Sequence, residues 1–521
     1  MSLYVYGDQN FEIPDQLHFG KYLIKQLFKG GDTIAVEHAD TEDKLTYKEL
    51  LQHAVNMASE LMKLGIKRGD IVAVGSEKRN ALIISIFAVI FTGATYTAYD
   101  LHSGKFSLQH KITVARPNYF IFSKLFWGLY NELLSPELMT LITFDDEPTS
   151  AHSIKSYINN DVDINSFEPG DVYGQMDIAL ILYSSGTTGL PKGVRLTHMN
   201  CILNSLPYKL DRDITKKIFT CGECYHNYDI FSLYKFISAG STIIYLSDIT
   251  SQRIVECIDK YKISMAMLVP YLIVGLCKVN NNYNLESLRI IYNRSAPLHN
   301  KTIEQAKQRF QNVQIFQGYG MTECGELTSE TWGHMGSKPG SVGMASPGII
   351  LKISDPKTDK TLGPNQRGEI RAKGPVLMNG YIGIDPATYL DKDGFLKTGD
   401  WGYYDNDNYF YIIDRIKEIL CFRGDQVPPL ELETILQLHP EVLEAGVVGK
   451  YDEISGDIPT AFVVRQPNAK VTAEELIDYV STEVPSFMRL AGGVIFISKL
   501  PRNARGKILR NDLRKLLNNN N

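Results

Sequence analysis

Cysteine is scarce. The chain has 7 in 521 residues, at 201, 221, 224, 257, 277, 324 and 421. Odd in number and scattered, they argue against a disulfide framework and fit a reducing compartment. Cys221 and Cys224 form one C-x-x-C with no second pair to complete a zinc site, so the pair reads as structural. Surplus charge is scarce too: a formal net charge of −5 gives no reason to expect a nucleic-acid partner. The start, MSLYVYGDQNFEIPDQL, carries acids and no basic n-region, so it does not read as a signal peptide. Long apolar runs are missing as well. Asn80 to Tyr99 is uncharged, but its strongly apolar part, Ala81 to Phe91, is too short to span a bilayer, and Thr92-Gly93-Ala94 interrupts it. A buried helix running into a strand, Thr95 to Tyr99, is the expected structure, with no membrane span. There are no internal repeats and no long disordered linker.

What is present is ordinary globular composition, 44% apolar and 22% charged, in a chain too long for one core. Thr46 and Glu49 make a capping box ahead of Leu50, Ala54, Val55, Ala58, Leu61 and Met62 at helical spacing. Gly65 and Gly69 then punctuate before a strand from Ile71 to Val74. The rhythm returns with strands at Ser241–Leu246, Met265–Val269 and Leu288–Tyr292, the last followed by a helix near Lys301. Strands alternating with helices predict a parallel α/β sheet. Beyond about residue 343 the texture becomes short strands and turns, such as Asp391-Lys392-Asp393-Gly394 and Asp405-Asn406-Asp407-Asn408, which predicts a β-rich subdomain over 343–413. After Asp414 a compact α+β unit is expected, with helices from Pro429 and from Thr472, whose box partner is Glu475. The expected organisation is a large domain over 1–413 and a small mobile one over 414–521.

The most informative segment is Tyr183-Ser184-Ser185-Gly186-Thr187-Thr188-Gly189-Leu190-Pro191-Lys192-Gly193. It follows an apolar run, Ile178 to Leu182, that reads as a buried strand. Glycines let a loop turn its backbone N–H groups toward an anion, and hydroxyls and a lysine add donors, so the segment reads as a phosphate-gripping loop. It is not a Walker A loop, because its glycines fall at 186, 189 and 193.

The full string resembles the signature loop of the adenylate-forming enzymes: acyl-CoA synthetases, adenylation domains and firefly-type luciferases. Further motifs follow in that family's order. Gln317-Gly318-Tyr319-Gly320-Met321-Thr322-Glu323 resembles its Y-G-x-T-E motif. The resemblance implies that Tyr319 lies against adenine with Gly318 in the same nucleotide site, Thr322 holds the α-phosphate and Glu323 helps hold Mg²⁺, which favours hard carboxylate oxygens beside phosphates. Thr398-Gly399-Asp400 resembles the motif whose aspartate accepts both ribose hydroxyls, a task suited to two acceptor oxygens. Asp414-Arg415-Ile416-Lys417 resembles the hinge, with Asp414 as pivot and Arg415 near the ribose. Arg505-Gly506-Lys507-Ile508 resembles the loop with the catalytic lysine, so Lys507 would bridge substrate carboxylate and phosphate. The loop residues Ser184, Ser185, Gly186, Thr187, Thr188, Gly189 and Lys192, with Ala296, complete the nucleotide site that the resemblance implies.

Tyr225-His226-Asn227-Tyr228 and Phe422-Arg423-Gly424-Asp425-Gln426-Val427 place the chain nearest the insect luciferase-like and 4-coumarate–CoA ligase branch. By that likeness His226, also a candidate catalytic residue with Lys507, Thr322 and Glu323, lines the acyl pocket with Tyr228, and Cys421, Gly424 and Gln426 face the second half-reaction. Two departures stand out. Asn293-Arg294-Ser295-Ala296-Pro297-Leu298 replaces a glycine-containing string, so Arg294 and Ser295 add bulk and a cation to the pocket. Arg294 is expected to pair with a second acidic or phenolate group on the substrate, since a buried guanidinium needs a partner. Cys421 stands where those relatives carry a lysine, and a neutral thiol does not replace its charge. The resemblance implies ATP- and Mg²⁺-dependent adenylation of an aromatic or fatty carboxylic acid, then transfer to coenzyme A. The alternative is a luciferase that uses O₂ on an adenylated luciferin. With no Ser-Lys-Leu ending and no leader, the expected location is cytoplasmic. The sequence assigns no oligomeric state.

Overall fold

The computed structural model describes all residues except 1–2, 9–12, 14–15, 102–103, 147, 149, 185–189, 208–212, 223, 280–281, 295–297, 299, 311, 331–336, 424, 503–507 and 520–521, and it leaves aside the side chains of 300–301, 426 and 518–519. Among the described residues the strands form four sheets. In the first, Ile178–Ser184, Thr95–Tyr99, Ile71–Gly75, Tyr119–Phe122, Thr140–Thr143 and His152–Ser153 run parallel, and Lys192–Thr197 closes one edge antiparallel. The second is parallel through Ile290–Asn293, Met265–Leu268, Lys217–Thr220, Thr242–Tyr245 and Ile34–His38. The strands expected from the alternating pattern are all present, with ends within about two residues of those expected.

Helices Phe19–Gly30, Tyr47–Lys63, Asn80–Phe91, His198–Ser205 and Asn227–Ala239 lie between these two sheets. One continuous core joins Val72, Val74, Tyr96 and Leu180 of the first sheet to Val36, Ile243, Met265 and Ile290 of the second. Alternation along each strand sends its other residues to the opposite face. Ala73 and Phe120 thus pack outward with Phe126, and Phe219, Ile244 and Ala266 pack against Ile254 and Leu272. Helices therefore cover both faces of both sheets. This arrangement explains the uncharged stretch. Asn80–Phe91 is a helix of 12 residues, buried from Ala81 to Phe91 between two sheets. Burial of each large side chain there is worth about 1.5–3 kcal/mol. Among the described residues no helix is long and apolar enough to cross a membrane.

The β-rich texture after residue 343 corresponds to an antiparallel sheet of Ile350–Ser354, Gly368–Lys373, Leu396–Tyr404 and Phe410–Arg415. Val5–Tyr6 adds a strand that the local pattern did not suggest, pairing with Ile350 and Leu351. The C-terminal part is a smaller α+β unit in which Leu420–Phe422, Asp425–Val427, Val442–Asp452, Gly456–Arg465 and Val494–Phe496 form one sheet around its own core. Helices Pro429–Leu438 and Ala473–Glu483 flank it, and the Thr472/Glu475 capping box is formed.

Candidate functional site

The ends of several strands converge on one carboxylate. Asp400 sits in the strand Leu396–Tyr404 just after Gly399, whose φ of +72° is a left-handed turn that glycine adopts without strain. The turn is fixed from below: the Thr398 hydroxyl donates to the Ile370 carbonyl (2.7 Å), and the Gly399 N–H donates to the Glu369 carboxylate (3.2 Å). Asp400 is 3% exposed. One of its oxygens accepts from the Tyr319 hydroxyl at 2.5 Å, and the other meets the Arg415 guanidinium at 2.6 Å. Arg415 stands directly opposite Asp400 on the neighbouring strand. Burial, with Asp400 beside it, pushes the Tyr319 hydroxyl well above its ordinary pKa, so it remains a donor.

Tyr319 belongs to the strand Gln314–Met321, which turns at Thr322, Glu323 and Cys324 into Gly325–Ser329. The turn is tight: a side chain at Gly320 would have its Cβ 2.0 Å from the Gly325 carbonyl oxygen. Glu323, 4% exposed, accepts from the Tyr381 hydroxyl at 2.6 Å. Lys192 lies 5.1 Å above the Tyr381 ring and pairs in register with Ser184, so both described ends of the glycine-rich loop stand beside that turn. Residues 185–189 themselves lie outside the described residues. So does Lys507, although bridged Arg502 and Ile508 hold together the two ends of its loop.

Asp414 is the penultimate residue of the strand Phe410–Arg415. Its carboxylate accepts from the Arg415 N–H (2.7 Å) and from the Leu430 N–H (2.9 Å), the second residue of helix Pro429–Leu438. Burial raises its pKa, opposed by the nearby Arg510. Arg510 in turn forms a buried ion pair with Glu433 of that helix. Cys421 is exposed on the strand Leu420–Phe422, its N–H donating to Asp457 (3.2 Å). Gly424 and the Gln426 side chain lie outside the described residues.

His226 is the N-cap residue of helix Asn227–Ala239, with its ring edge-on to Tyr225 at 4.2 Å. Asn227 donates to the Met321 carbonyl (3.2 Å), tying this helix to the Thr322–Glu323 turn. Arg294, expected to meet an acidic group of the substrate, is also held by the chain itself. The protein supplies its partner: its guanidinium forms an ion pair with Glu326 and lies between the rings of Tyr228 (5.0 Å) and Tyr292 (4.9 Å). Ser295 and Ala296, next in the chain, fall outside the described residues.

Several residues at this site escaped the sequence reading. Tyr381 and Glu369 act on residues far away in the chain, and nothing in their local strings marks that. Lys235 and Glu326 did leave a signal. Lys235 follows Tyr228 by seven positions on one helical face, and Glu326 sits beside the recognised Glu323 turn.

Among the described residues no group of three or more His, Cys, Asp or Glu side chains could cage a metal. Mg²⁺ held between nucleotide phosphates needs only one or two carboxylates, and a buried Glu323 oriented by Tyr381 fits that requirement.

Two stacked parallel α/β assemblies, an antiparallel subdomain and a small C-terminal unit, meeting at Asp400, Glu323 and Asp414, define an adenylate-forming fold. Residues 25–382 match the AMP-binding enzyme family and residues 431–507 match the AMP-binding enzyme C-terminal domain; the chain belongs to this family. It is 31% identical to a luciferin 4-monooxygenase of Photuris pensylvanica, over 98% of this chain and 97% of that protein. It is 32% identical to 4-coumarate–CoA ligase 3 of Arabidopsis thaliana, over 98% and 93% respectively. ATP-bound MatB from Rhodopseudomonas palustris superposes with a TM-score of 0.84 at 27% identity, covering 95% of this chain and 98% of that one.

Proposed function

We propose that the protein is an acid–coenzyme A ligase. It joins an aromatic or fatty carboxylic acid to AMP, releasing pyrophosphate, and then passes the acyl group to coenzyme A. The observation that carries this reading is the buried Asp400 carboxylate, fixed between Tyr319 and Arg415 at the place where the Thr398-Gly399-Asp400 motif puts a two-oxygen acceptor for a vicinal diol. In this reading Asp400 takes the ribose hydroxyls, Tyr319 and Gly318 flank adenine, and Thr322, Ser184, Lys192 and loop 185–189 take the phosphates. His226 and Tyr228 bound the acyl group.

A carboxylate is inert to a thiol because oxide is a poor leaving group. Its oxygen attacks the α-phosphorus, the bond to pyrophosphate breaks, and the acyl–AMP anhydride carries a stabilised leaving group. Two anions must approach, so the protein's task is position and positive charge. Lys192 and Lys507 supply charge, and Glu323 would hold Mg²⁺, which would add positive charge against the phosphates. In the second half-reaction the thiolate of coenzyme A attacks the acyl carbon and AMP leaves. We place the domain division at 413/414, with Asp414 as the pivot that lets the small unit present Lys507 for one step and its Cys421 face for the other.

The deciding experiment supplies ATP, Mg²⁺ and a panel of acids to the purified chain, with and without coenzyme A. Pyrophosphate, thioester and photons are followed together. Thioester without light supports the ligase. Light that needs oxygen but not coenzyme A overturns it in favour of a luciferase, and absence of pyrophosphate with every acid removes the adenylation reading.

A further inference from the structure

Three charged side chains from three separate elements meet beside the segment that departs from the family pattern. Arg294 follows directly on strand Ile290–Asn293, Glu326 lies on Gly325–Ser329, and Lys235 comes from helix Asn227–Ala239. Arg294 pairs with a Glu326 carboxylate oxygen, and the Lys235 ammonium is 4.0 Å from the same oxygen. All three side chains are largely covered, at 20%, 17% and 28% exposure. Two cations therefore share one carboxylate in a poorly solvated place. Burial, and then the Arg294 charge, push the Lys235 ammonium down to about 7. The buried Arg294 Nε–H and the buried Tyr228 hydroxyl find no acceptor among the described residues. Positive charge is in excess around the one Glu326 carboxylate, with Lys235 on the helix Asn227–Ala239 that also carries Tyr228. A buried charge without a partner is costly, and an unfilled donor costs its lost solvation.

We infer that this cluster receives a second anionic group at the far end of the acid, so that the substrate is a dicarboxylic acid. This rests on the adenylation reading and narrows it. One carboxylate of such an acid goes to AMP. The other accepts from Lys235, from the free Arg294 Nε–H and from the Tyr228 hydroxyl, leaving Glu326 to hold the remaining face of Arg294. Lys235 is the specificity-determining residue of the group, because its charge is the one that Glu326 leaves unbalanced.

The test compares matched acids on the full chain: butyrate with succinate, hexanoate with adipate, octanoate with suberate, and phenylpropanoate with its ring-carboxylated analogue. Pyrophosphate release gives kcat/KM for each, and the rise in melting temperature with acid alone gives binding. The best dicarboxylate is expected to exceed its monocarboxylate by about tenfold or more in kcat/KM, the size of one charge-assisted contact. That ratio should fall by about tenfold in Lys235→Met and persist in Lys235→Arg. Because the ratio is taken within each variant, a partial loss of folded enzyme cancels. A wild-type ratio at or below one overturns the inference, as does a ratio unchanged by Lys235→Met. If no acid releases pyrophosphate, the adenylation reading fails on its own. The inference is then decided by binding: a dicarboxylate-specific melting shift that Lys235→Met removes supports it, and no such shift overturns it.

Discussion

Tyr381 shows how much of the site hangs on single hydrogen bonds. Its hydroxyl is a donor to the buried Glu323 carboxylate, and burial with that carboxylate beside it pushes the Tyr381 pKa far up, so the proton stays in place. A hydrogen bond to a charged group is worth about 1.5–3 kcal/mol. Tyr381→Phe keeps the ring under Lys192 and removes only this donor. Its kcat/KM for ATP in pyrophosphate release should fall about tenfold or more, with little change in KM for the acid. Equal losses for both substrates would point to a general loss of packing instead. Asp400→Asn tests the ribose contact in the same assay. It leaves Arg415 facing a neutral amide and one acceptor where there were two, so the KM for ATP should rise at least about tenfold.

Elements were far more legible than contacts. The Thr46/Glu49 box is formed, with the threonine hydroxyl accepting from Glu49 N–H at 3.1 Å and Glu49 accepting from Thr46 N–H at 2.8 Å. Its signal is local, written in two residues three positions apart, and the same holds for the Thr472 box and for the parallel strands. Val5–Tyr6 was not legible, because a two-residue strand has no period of its own and exists only where Ile350 and Leu351 offer an open edge. Tyr381 and Glu369 were missed for the same reason: their partners are set by the packing of distant elements. The sequence did not show that Glu326 pairs with Arg294. Both kinds of cap can be measured. Thr46→Ala should cost about 1 kcal/mol in urea melts. Asp414→Ala removes a cap supplied across the chain to Leu430, so amide exchange in helix Pro429–Leu438 should speed up about five- to thirtyfold, while helix Tyr47–Lys63 is untouched.

At the scale of the whole molecule, two buried groups pull the pH dependence of stability in opposite directions. His198 lies in the core between the sheets, where its Nδ1 accepts from the Phe19 N–H and burial lowers its pKa to about 3. A base that stays neutral when folded but protonates when unfolded contributes stability that is complete above its ordinary value of 6.5 and is lost as pH falls toward 3. Burial likewise lowers the pKa of His18, which adds to the same slope. Glu330 is the counterweight. It accepts from the Gln317 N–H at 2.8 Å, and burial raises its carboxyl from 4.5 to about 7. An acid that keeps its proton when folded contributes stability that is complete below 4.5 and is lost as pH rises through about 7. Between those limits the two slopes oppose each other, and below 4.5 only the histidine term remains. Urea melts at about pH 5 and about pH 8 separate them. Glu330→Gln should gain stability at the higher pH relative to wild type, by up to about 3 kcal/mol compared with the lower pH. His198→Asn should do the reverse, narrowing the loss that wild type suffers on acidification. If both variants follow the wild-type pH profile, neither group is held in the charge state that its burial demands.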